Sequence, residues 1–106
     1  MSTNAESVPQ TEVDAAIVAY VGKGRVKIPT ADPDAVRSLD PAHADALLQY
    51  VKAALLTSDR IEFEEVAPFD DGLRQRLYQR LRELLPQLGT EAIEALGWRW
   101  GYLNLR

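Results

Sequence analysis

The stretch GLRQRLYQRLRELLPQLG, residues 72–89, decides the fold class. Leu73, Leu77, Leu81, Leu84 and Leu88 fall within one narrow arc of a helical wheel, and most of the remaining positions are arginine or glutamine. Asp70 or Asp71 supplies the acidic start that a helix dipole favours. Pro86 has no N–H to donate to the carbonyl of Arg82, so the helix is expected to kink or end there.

Working outward, the same periodicity recurs. In TEVDAAIVAYVGKG, residues 11–24, Thr11 is a candidate cap, Val13, Ala16, Ile17, Tyr20 and Val21 repeat at helical spacing, and Gly22 or Gly24 is the stop. Two Asp-Pro pairs, Asp32-Pro33 and Asp40-Pro41, look like repeated helix starts with proline at the first helical position. The second opens the longest helix, to about Thr57, whose stripe is Ala44, Leu47, Leu48, Val51, Ala54 and Leu55. TEAIEALG, residues 90–97, reads as a miniature helix capped by Thr90 and stopped by Gly97, with Trp98 returning against Ile93.

The expectation is a mainly α bundle of four to five helices over residues 10–106, behind a disordered lead at residues 1–9. Its expected core is Val13, Ile17, Tyr20, Val21, Leu47, Leu48, Val51, Leu55, Leu73, Leu77, Leu81, Leu84, Leu88, Ile93, Leu96 and Trp98. Short alternations at residues 25–28 and 61–64 leave room for a minor two- or three-stranded β element, with residues 98–103 as its third member.

That last segment concentrates aromatic surface. Of eight aromatic residues, Trp98, Trp100 and Tyr102 stand within five positions. An extended chain would point all three one way. A helix would have to carry Gly97 and Gly101 at about 1 kcal/mol each. The extended form is therefore expected. Together the three side chains represent roughly 450–750 Å², too large a patch to leave in water, so they should close the core or meet a partner.

Composition excludes several functions. At 106 residues the chain suits one domain, and having no cysteine it has no disulfide or thiol nucleophile and little prospect of a structural zinc site. Its longest apolar run, residues 15–21, is too short to span a bilayer, and residues 1–10 lack the basic and apolar regions of a signal peptide. A cytoplasmic location is expected, in a bacterium if the excess of arginine over lysine and the abundant alanine reflect GC-rich coding. Residues 1–71 carry thirteen acidic and six basic side chains, and residues 72–106 three and six, for a net charge of −4. This disfavours general nucleic-acid affinity.

No catalytic pattern stands out. The single histidine, His43, lies in a first helical turn with no nucleophile in its local sequence, and Asp45 faces another side of the helix. Residues 22–24, Gly-Lys-Gly, lack the phosphate-loop spacing. The carboxylates of residues 59–71 fit no calcium loop. No cofactor, metal or small-molecule substrate is implied. The expected function is thus a non-catalytic protein-interaction or regulatory module that binds a partner protein or itself. The candidate contact residues are Glu62, Glu64, Glu65, Asp70, Asp71, Trp100 and Tyr102. One alternative is a toxin-neutralising immunity protein with an acidic docking face. Another is nucleic-acid binding through the arginine-rich helix 73–85 and the aromatic tail, which needs a basic groove beside the rings.

Overall fold

The structure, a computed structural model, describes residues 9–63 and 71–104, with backbone alone at Asp71. Five α-helices follow one another: α1 (Gln10–Val21), α2 (Pro33–Leu39), α3 (Ala44–Asp59), α4 (Asp71–Leu84) and α5 (Thr90–Asn104), with a 3-10 turn at Pro41–His43 before α3. The mainly α expectation holds, and no strand forms among the described residues. The expected lead, residues 1–9, lies outside them except for Pro9.

The helices α1 and α5 form the spine. α1 packs on α5, α2 and α3, while α4 packs on α5. The shared core joins Val13, Ile17, Tyr20 and Val21 of α1 to Leu47, Val51 and Leu55 of α3, Leu77 and Leu81 of α4, and Ile93, Leu96 and Trp100 of α5. The leucine stripe of α4 runs as predicted through Leu73, Leu77 and Leu81, but it continues to Leu85. Leu84, expected in the core, is 38% exposed, and Leu88 is only partly buried. The helix ends at Leu84 ahead of Pro86, so Leu88 sits on the following turn and the row of fourth residues, 73–77–81–85, is the one that meets the core.

The α1 terminus explains why residues 25–28 form a turn and not a strand. Gly22 adopts φ +83 and its N–H donates to Val18. The Arg25 side chain then donates to the carbonyl of Ala19, Thr30 Oγ1 and the Asp32 N–H to that of Tyr20, and the Thr30 N–H to that of Val21. Carbonyls left open by the helix end are thus filled by the chain that follows. At the other end, Thr11 is no cap: Pro9 precedes α1 and its carbonyl accepts from Glu12 and Val13.

Residues 61–63 also fail to make a strand, because α5 claims them. Ile61 is buried, and its carbonyl accepts the Trp100 indole N–H at 3.1 Å. Phe63 meets the Trp100 ring edge-on at 5.6 Å between centroids.

The tail corrects the extended expectation. Residues 98–103 continue α5, with Gly97 inside the helix and buried, so there is no turn at Gly97 returning Trp98 to Ile93. In a helix, residues 98 and 102 share a face and 100 points the opposite way. Trp100, 2% exposed, fills the core in the place expected for Trp98, which is half-buried at the surface. The cost of the two glycines is about 1 kcal/mol each, smaller than the gain from burying an indole. Nor does Thr90 cap α5. The Gly89 N–H is held by both carboxylate oxygens of Asp14, at 3.2 and 3.1 Å, from the first half of α1.

Candidate functional site

The second face of α5 builds a cleft. Glu94, Gly97, Trp98, Gly101 and Tyr102 lie three and four residues apart, so they form a stripe beside the core-facing one. α4 contributes Arg74 and Tyr78, again four apart, and the turn after α1 contributes Lys23. These eight residues line a surface cleft of about 590 Å³. Tyr78 can pack closely on α5 because residue 97 has no side chain: a Cβ there would collide with its ring. The cleft therefore depends on the helical register of a segment expected to be extended.

Of the predicted contact residues whose side chains are described, only Tyr102 lines the cleft. Trp100 is withdrawn as a contact because its ring is buried inside the chain. Glu62 is exposed beside α3, and Glu64, Glu65 and Asp70 lie outside the described residues. Asp71 opens α4, and its side chain is likewise outside the description. Asp59, which began the acidic segment, is paired with Arg99 at 2.6 Å, so part of that negative face is neutralised from within.

The arginines of α4 are engaged too. Arg80 pairs with Glu83 at 3.2 Å, Arg76 lies over the Phe63 ring at 5.7 Å, and Arg82 over the Tyr78 ring at 5.9 Å. Their stems cover apolar surface while their heads stay at the rim.

A second locus was invisible in the sequence. Glu12 from the first turn of α1 meets Asp40, which precedes the 3-10 turn, and His43, its last residue. His43 Nδ1 lies 2.8 Å from Asp40 Oδ2. Asp40 therefore does not cap the helix after it, whereas Asp32, in the same Asp-Pro setting, accepts the Ala35 N–H. The two Asp-Pro pairs are not one device used twice. Glu12 Oε2 is shielded from solvent and has no hydrogen-bond donor, since its neighbour Asp40 is another carboxylate. The hydrogen bond to Asp40, then burial, then the Asp40 charge raise the Glu12 pKa above the ordinary carboxyl value, against a smaller opposing effect of His43. The Asp40 pKa is lowered, first by the hydrogen bond from Glu12 and next by that from His43. The spacing of Asp40 and His43 is a local clue to their contact, but nothing local announces Glu12, twenty-eight positions earlier.

No helix among the described residues is long and apolar enough to cross a membrane. Comparison with protein-family models, with curated proteins and with solved structures finds nothing that matches this chain.

Proposed function

We propose that the protein is a non-catalytic binding module that docks a partner protein in the α4–α5 cleft. The observation that carries this reading is the convergence of Tyr78, Trp98, Tyr102 and Arg74 in one concave site of about 590 Å³. Tryptophan, tyrosine and arginine are the residue types that dominate binding energy at protein contacts, because they offer large, stiff, amphipathic area at small entropic cost. A shallow groove with such walls suits an apolar anchor side chain. Lys23 and Glu94 stand at its rim, so an anchor seated between the aromatic walls meets one charge of each sign.

The reading places the module in a reducing, cytoplasmic setting, in keeping with the absence of cysteine. An immunity protein docking through the acidic segment 59–71 is less well supported, since Arg99 already neutralises Asp59, its first member. Nucleic-acid stacking is disfavoured by the intramolecular engagement of Arg76, Arg80 and Arg82.

The test places a photo-crosslinking residue at Tyr102 in the cell of origin, identifies the linked protein, and titrates it with purified chain. Trp98→Ala should weaken that complex by at least about 30-fold, the size of a contact that dominates an interface, while leaving the helical circular dichroism intact. Equal affinity for the variant, or no crosslink beyond a second copy of this chain, defeats the proposal. Retention on single-stranded nucleic acid that declines with salt would replace it with the stacking reading.

A further inference from the structure

We propose that Glu12, Asp40 and His43 form a binding site for one divalent transition cation of the zinc type. Three side chains from two segments distant in sequence offer ligand atoms that all lie within 4.8 Å of one another. A turn of α1 delivers Glu12, the junction after α2 delivers Asp40, and the 3-10 turn delivers His43. The packing of α1 on α2 and α3 brings them together.

A second observation points to a ligand. Glu12 Oε2 has less than 1 Å² of exposure and no protein donor among the described residues, so it can bond to the Asp40 carboxylate only by carrying a proton itself. Its neighbour is the Asp40 carboxylate, which can only repel it when both are ionised. A cation between the two removes that conflict. Asp40 is committed to this cluster to the extent of leaving the helix start beside it without a side-chain cap.

The donor set selects the class of ion. Calcium takes six to eight oxygens, and magnesium a near-ideal octahedron of oxygens with several waters. One imidazole nitrogen with two carboxylates suits zinc and its first-row neighbours instead. Three protein ligands leave a position for water or an exogenous group. The site is reachable, because the His43 side chain is 41% exposed and that of Asp40 19%.

A bound ion would join α1 to the α2–α3 junction, so it should stabilise the fold in proportion to its saturation. Tag-free protein stripped with chelator is titrated with Zn²⁺ by calorimetry and melted with and without it. One equivalent of Zn²⁺ should bind and raise Tm, and Mg²⁺ should do neither. Glu12→Gln and His43→Gln should each cut the Zn²⁺ affinity by at least about tenfold, the lower end of what disturbing a ligand set costs. Because His43 is the only histidine, Co²⁺ can be followed in the unmutated chain through the one imidazole signal in the NMR spectrum. That signal should shift or broaden at one equivalent. Absence of saturable Zn²⁺ binding, an imidazole signal untouched by Co²⁺, or binding unchanged in both variants overturns the site. Equal affinity for Mg²⁺ overturns the class of ion.

Discussion

Replacing each tail aromatic in turn tests the helical register on which both fold and cleft depend. Trp100 is 2% exposed, donates its indole N–H to the Ile61 carbonyl at 3.1 Å and meets Phe63 edge-on. Trp100→Ala removes a fully enclosed side chain and leaves a cavity, at an expected cost of about 3–5 kcal/mol. For a chain stabilised by roughly 5–15 kcal/mol this approaches global unfolding. Trp100→Phe keeps most of the ring but strands the Ile61 carbonyl, at an expected cost of about 1–3 kcal/mol. Trp98 and Tyr102 line an open cleft that water can refill, so their truncation loses the transfer contribution without the cavity contribution, about 1–2 kcal/mol each. Urea denaturation followed by far-ultraviolet circular dichroism gives the four midpoints. The order should be Trp98→Ala and Tyr102→Ala near the unmodified protein, Trp100→Phe lower, Trp100→Ala lowest. An extended tail would put residues 98, 100 and 102 on one face and give all three truncations similar costs. Equal costs, or a Trp98→Ala variant less stable than Trp100→Ala, would refute the reasoning.

Asp14→Ala removes a carboxylate that grips the Gly89 N–H at the start of α5, and should cost about 1.5–3 kcal/mol in thermal or urea unfolding. Gly89→Ala should mimic it, since a Cβ there would stand 2.6 Å from Asp14 Oδ2, and a neutral result for both would dismiss the clasp. Gly22→Ala should destabilise by about 2–4 kcal/mol, combining left-handed strain at φ +83 with a Cβ 2.6 Å from Val26 Cγ2. Gly24→Ala, at φ +85 with nothing within 4 Å, should show only the strain of about 1–2 kcal/mol, and equal losses at both positions would argue against the crowding at Gly22. The carboxyl pair makes a signed prediction in chelator-treated protein. The raised Glu12 pKa contributes stability that is complete below the ordinary carboxyl value of 4.5 and is lost as pH climbs through the folded value. The lowered Asp40 pKa contributes stability that is present above 3.8 and is lost as pH falls through its folded value. Glu12→Gln should abolish the loss on the rising side alone, and parallel urea-midpoint profiles for variant and parent would contradict the pairing.

Where a demand is met within a turn or two of chain, the residues announced it. The leucines of α4, the stop at Gly22, the Asp32 cap ahead of Pro33 and the end of α4 at Pro86 each follow from the steric and hydrogen-bonding needs of neighbouring peptide units, and each is where the sequence puts it. What could not be read locally is which face of each helix the rest of the molecule would occupy. Leu85 and not Leu84 is inside because α5 lies along that row, and Trp100 and not Trp98 is inside because a helix, stabilised by the Ile61 carbonyl and Phe63, replaced the strand expected from the glycines. The Glu12–Asp40–His43 cluster and the Asp14 clasp on Gly89 join positions 28 or more residues apart, so only the packed chain could bring them within bonding distance. The sequence by itself determined a helical chain and most of its buried residues, because periodicity and backbone chemistry act over a few residues. Tertiary structure alone decided the cleft and the ligand cluster, because both arise where surfaces from different helices meet.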